Sequence, residues 1–117
     1  MMTPQMASYL RSHRRQSGLT QNEVARVLGM VNEIQVSRHE RARAHPTFLM
    51  ALAYEVLFQI PLARLFPEPY QSVEQNVEAQ LAALRAELES STAKGRPAVL
   101  VARKLEWMTL RRSADVA

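Results

Sequence analysis

Two capping signatures separated by a glycine constrain this chain more than any other feature of it. Thr20 is followed three residues later by Glu23, the spacing at which a hydroxyl and a carboxylate each satisfy a backbone donor at a helix start. Val24, Ala25 and Leu28 then recur at helical spacing, and Gly29 stands where a left-handed residue is wanted to leave the helix. Asn32 with Gln35 repeats the capping spacing, and Val36 supplies one apolar anchor. Glu33, Ile34, Gln35, Ser37 and Arg38 are left to face outward. Residues 20–41 therefore read as two short helices around a tight turn, the second of them mostly unburied.

The flanks extend this helical pattern. Residues 1–5 read as a loose end, with Pro4 tolerable in a first helical turn. A helix then runs to about Gln16, with Met6, Tyr9, Leu10 and His13 on one side and Arg11, Arg14 and Arg15 largely on another, and Ser17-Gly18 ends it. Leu19 enters the core. Residues 41–45 make a polar basic loop, after which Pro46 and the candidate N-cap Thr47 start another helix. Its Phe48, Leu49, Leu52, Ala53, Val56 and Leu57 form a wide apolar face, expected to be core. Pro61 opens a short fifth helix carrying Leu62, Leu65 and Phe66, with Pro67 and Pro69 closing it. This places a first domain at residues 1–68.

From residue 69 to residue 117 the texture changes. Tyr70, Val73, Val77, Leu81, Leu84 and Leu88 recur at intervals of three and four among glutamates and glutamines, as in one long amphipathic helix. Residues 90–95 break it, and Pro97 begins another helix carrying Val101, Leu105 and Met108 on one stripe, with Trp107 expected as a core anchor and Leu110 beside it. Gln80 falls on the seam, so the pattern is a helical hairpin rather than a regular coiled coil. Such a hairpin cannot bury its stripe alone; it packs on the first domain, on a second copy, the favoured reading, or on another protein.

Charge and composition narrow the partners. Lysine plus arginine outnumber aspartate plus glutamate 15 to 11, for a net charge of +4. Arg11, Arg14, Arg15, Arg38, Arg41 and Arg43 lie in or beside the capped stretch, whereas Glu74, Glu78, Glu87 and Glu89 fall in the later helix. The basic side belongs to the first domain and suits a polyanion. There is no cysteine, which removes disulfide and thiolate chemistry. No apolar run approaches the roughly 20 residues needed to cross a bilayer, and no apolar core follows the first arginines as in a signal peptide. A cytoplasmic, nucleoid-associated protein with no membrane partner is expected.

Residues 9–66, through LRSHRRQSGLTQNEVARVLG, VSRHER, HPTFLMALA and IPLARLF, resemble the lambda-repressor/Cro-like (XRE-type) helix-turn-helix regulators. The resemblance implies an all-α fold: a five-helix lambda-repressor-like DNA-binding domain, here followed by the C-terminal helical hairpin. It implies that the second motif helix enters the major groove with Glu33, Ile34, Gln35, Ser37 and Arg38 at base-reading positions. Gln21 matches a position that bonds a phosphate and braces that helix, and Arg14 and Glu40 match an internal salt bridge. Arg41, Arg43 and His45 fall in a loop that follows the DNA backbone in the family; the alternative is a simple interhelical connection. Arg11 and Arg15 stand open between phosphate contact and solvated surface. Three departures accompany these matches. The turn before Ser37-Arg38 is one residue longer than usual, Ala42 stands in place of a helix-ending glycine, and Gln59 likewise replaces a glycine.

Catalysis finds no support in the sequence. His13, His39 and His45 lack carboxylates at metal-ligand spacing, and three glycines leave little room for a phosphate-cradling loop. Neither enzyme activity nor a cofactor or metal is expected. The expected function is sequence-specific DNA binding by a transcriptional regulator, as a dimeric repressor on an inverted-repeat operator. The alternatives are an antitoxin or interaction protein, whose C-terminal helices bind a partner protein while the head autoregulates, and a protein-binding scaffold without DNA affinity.

Overall fold

The computed structural model describes residues 5–116, with side-chain surroundings for residues 9–111. Residues 1–4 of the loose end expected at the N-terminus and the Met6 side chain lie outside these, and Gln5, read as part of that end, begins the first helix instead. Among the described residues the chain is all helical: α1 (Gln5–Ser17), α2 (Gln21–Leu28), α3 (Ile34–Glu40), α4 (Phe48–Phe58), α5 (Leu62–Leu65), α6 (Pro67–Glu89) and α7 (Arg96–Val116). It divides into two compact units, Met1–Val73 and Glu74–Ala117, with the division inside α6.

In the first unit each helix is set by local chemistry. Thr20 caps α2 through a complete capping box: its hydroxyl accepts from the Glu23 amide at 3.0 Å and the Glu23 carboxylate accepts from the Thr20 amide at 2.9 Å. Gly29 leaves α2 with φ 77°. Its amide reaches the Arg26 carbonyl and the Met30 amide reaches Ala25, the paired bonds of a Schellman motif. α3 closes in the same way, with Ala42 donating to the His39 carbonyl and Arg43 to Arg38. Here the left-handed position is filled by Ala42 at φ 57°, and Gln59 adopts the same φ after α4. Both carry a Cβ in a region where glycine sits without strain.

The core gathers Leu10 from α1, Val24 and Ala25 from α2, Val36 from α3, Tyr54 from α4, and Leu65 and Phe66 from the α5 region, all buried. Tyr54 is its hub. Its ring lies parallel to Phe58 at 6.4 Å and edge-on to Phe66 at 6.1 Å and His39 at 5.7 Å.

Three expectations need correcting. α4 does not bury the face read as core: Phe48, Leu49, Leu52 and Val56 are exposed, while Tyr54, Leu57 and Phe58 turn inward. The helix reads FLMALAYEVLF, apolar on every side but for Glu55, so periodicity could not choose the inner arc. Pro67 and Pro69 do not close α5; they occupy the first turn of α6, where a missing N–H costs nothing. And α3 is less exposed than its sequence suggests, since His39 and Glu40 are buried along with Val36.

In the second unit, the rest of α6 and α7 are joined by a connection in which Gly95 takes φ 73°. Arg111 donates to Glu78 at 2.6 Å and Arg85 to the Thr109 hydroxyl at 3.2 Å, tying the two helices together. Met108 is buried, but Trp107, expected as an anchor, is exposed, as are Leu84, Leu100 and Leu110. Among the described residues no helix is long and apolar enough to cross a membrane.

Candidate nucleic-acid interface

The interface is built around one buried carboxylate. Glu40 ends α3 with its side chain fully out of solvent. Arg14 of α1 meets it with two donors, Nε to Oε2 at 2.5 Å and Nη2 to Oε1 at 3.2 Å, and spends Nη1 on the Leu19 carbonyl at 3.1 Å. Gln21 of α2 donates its amide to Oε1 at 3.0 Å, and the Arg11 guanidinium stands 3.5 Å from the same oxygen. Donors from two helices thus converge on the one carboxylate of a third, so α3 is held against α1 and α2 by charge-assisted bonds as well as by Val36.

The inner side of α3 is completed by His39, whose Nδ1 lies 2.8 Å from the Tyr54 hydroxyl. Burial, and after it the charge of His45, lowers the His39 pKa below its usual range. Burial first, with the nearby Glu40 carboxylate second, raises the Tyr54 phenol well above its usual range. Both groups are therefore neutral near neutral pH, and the pair acts as an ordinary buried hydrogen bond.

With Val36, His39 and Glu40 turned inward, Ile34, Gln35 and Arg38 are exposed and Ser37 half-buried, so the base-reading candidates share an accessible surface. Glu33, immediately before α3, is exposed but held: its carboxylate accepts from the Asn22 amide at 3.3 Å. The capping pair expected at Asn32 and Gln35 does not form: Glu33 is the N-cap of α3 and makes no side-chain cap bond, while the Asn32 side chain accepts from the Ile34 amide at 2.9 Å in the turn just before the helix. Asn22 therefore draws the one acidic group of the candidate reading set back toward α2. The turn between α2 and α3 puts Met30 against the core and leaves Val31 98% exposed.

The phosphate candidates separate into two groups. Arg15, Arg41, Arg43 and His45 are exposed, and no ion pair engages them among the described residues. Arg11 and Gln21 are half-buried and turned toward Glu40. Sequence reasoning missed Asn22, Val31 and the His39–Tyr54 bond. His39 was within reach of it, because positions three and four beyond Val36 fall on the same helical face as that anchor.

Two short helices meeting at a glycine-led turn, the second pinned from inside and bare outside, are the geometry of a known domain. The family model described as Helix-turn-helix domain matches residues 5–54. Over these residues the chain is similar to a helix-turn-helix domain. The match takes in α1 to α3 and ends in α4, just under half the chain. The helix-turn-helix domain points to a DNA-binding regulator. No curated protein and no solved structure matches the chain. Among the described residues no cluster of three or more metal-ligating side chains occurs.

Proposed function

We propose that this protein is a sequence-specific DNA-binding regulator of the XRE type, acting in the cytoplasm as a dimeric repressor on an inverted-repeat operator. The observation that carries the reading is the pinning of α3 by Glu40, Arg14 and Gln21, which leaves Gln35 and Arg38 outward on a fixed helix. In the major groove Arg38 pairs bidentately with a guanine and Gln35 with an adenine, each contact discriminating by roughly 1 to 3 kcal/mol. Ile34 and the fully exposed Val31 suit thymine methyl groups. Arg41, Arg43, His45 and Arg15 supply phosphate contacts, which add affinity that is blind to sequence and falls with salt. Arg11 and Gln21 serve first as braces of Glu40.

Selection from a random duplex pool at a fixed moderate salt tests this. Enrichment of an inverted repeat with half-sites about one helical turn apart is expected. Arg38→Ala should relax preference at one position per half-site, whereas Arg43→Ala should weaken all sequences alike. Equal losses for both variants on specific and random DNA would refute the assigned roles. A second reading has its own observation: Leu84, Leu100, Trp107 and Leu110 leave the C-terminal hairpin with exposed apolar side chains. They suit a partner protein bound by the hairpin, as in an antitoxin whose head autoregulates, and stable co-purification of one small protein at fixed stoichiometry would favour it.

A further inference from the structure

The exposed face of α4 is the least expected surface of the first unit. Phe48, Leu49, Leu52 and Val56 are 73%, 72%, 37% and 68% exposed, and at 100° per residue they share one continuous arc of the helix. Beside this arc lies an apolar hollow of about 320 Å³ whose lining includes Pro46, Ala51, Leu62, Phe66, Tyr70 and Val73. Ala51 is one turn along from Phe48, so arc and hollow meet on the same side of α4. Tyr70 and Val73, at the rim, are 49% and 61% exposed.

We propose that this face pairs two copies of the chain, with Phe48 of each copy seated in the hollow of the other. The proposal deepens the dimer reading above, and rests on it, by naming the surface that makes the dimer. Three observations select a second copy. The first is self-complementarity: an exposed phenylalanine and a hollow about twice the volume of a cavity that takes up benzene adjoin on one surface, as a twofold contact requires. The second is charge. Glu55 is the only charged residue of α4, and its carboxylate already accepts from the Leu62 amide at 3.2 Å, so α4 brings no stranded charge to the contact; His45 is the one basic side chain in the lining of the hollow. The third is area. Taking about 150 to 200 Å² for a fully exposed large apolar residue, the six side chains offer on the order of 600 Å² per copy. Pairing then removes about 1,200 Å², the lower end of specific interfaces. A contact of that size holds a modest dimer, which binding to adjacent half-sites reinforces.

The test is sedimentation equilibrium of the full chain, the Phe48→Glu variant and the hairpin variant Leu84→Glu, each with its thermal melt. A glutamate in the first turn of α4 is favourable for the helix, so at concentrations where the parent is monomeric Phe48→Glu should melt no lower than it. The parent should self-associate, and Phe48→Glu should weaken that association at least about 30-fold. Because the chain lacks cysteine, Leu52→Cys reports directly: oxidation should give a covalent dimer, and Val27→Cys, exposed on α2, should not. A monomeric parent, a Phe48→Glu variant that associates like the parent, or a dimer dissociated by Leu84→Glu alone would overturn the proposal. Loss is separable from the DNA reading. A Phe48→Glu variant that still binds a half-site but loses preference for the full repeat supports this interface, whereas a parent that dimerises and selects no DNA refutes the regulator reading and leaves the interface standing.

Discussion

Glu40→Ala should be among the most damaging single changes in the head, and its cost follows from what it strands. The side chain is fully buried and accepts from Arg14 at 2.5 and 3.2 Å and from Gln21 at 3.0 Å. Truncation leaves the Arg14 side chain, only 13% exposed, with the Leu19 carbonyl as its remaining bond in this cluster. Removing one partner of a buried pair costs about 3 to 5 kcal/mol. Arg14 keeps one acceptor and a little solvent, which places the loss near the lower figure, about 3 kcal/mol. For a domain of this size that lowers Tm by roughly 12 to 24 °C. The assay is urea unfolding followed by circular dichroism for Glu40→Ala, Arg14→Met and the double variant. The double variant should lose less than the sum of the singles by at least about 1 kcal/mol, because it strands no charge. Arg11→Ala should cost under about 1 kcal/mol, since that side chain is 38% exposed and 3.5 Å from Glu40. Single losses below about 0.5 kcal/mol that simply add would show that the pair does not hold α3.

Other consequences are equally direct. The folded state lowers the His39 pKa from its usual 6.5, so the unfolded chain takes up the proton first. The stability this bond contributes is therefore complete above pH 6.5 and declines as pH falls below it toward the folded value. Melts between pH 7.5 and 5 should show the decline, and His39→Gln should flatten it; an equal slope in the variant would assign the effect elsewhere. Ala42→Gly should raise stability by about 0.5 to 1 kcal/mol by relieving the left-handed strain at φ 57°, a gain visible as a higher urea midpoint. A lower midpoint would mean that the Ala42 methyl, packed against the core, outweighs that strain.

Much of this protein was legible from local chemistry. The box at Thr20 and Glu23 and the left-handed exit at Gly29 are decided within a few residues, because caps and turns satisfy backbone groups close in sequence, whereas the positive φ of Ala42 was indicated only by the family resemblance. The long helices were legible for the same reason, although Pro67 and Pro69 read as terminators when the absence of a donor suits a first turn. Two things were decided only by tertiary structure. One is which arc of α4 faces inward: a helix apolar all round has no preferred side of its own, and its orientation comes from the Tyr54 ring meeting His39, Phe58 and Phe66. The other is how the charges divide. Arg11 and Arg15 look alike along the chain, yet the buried Glu40 carboxylate draws Arg11 inward and leaves Arg15 exposed. Spacing sets which side chains share a helix face; only the packed neighbours set whether that face meets protein or water.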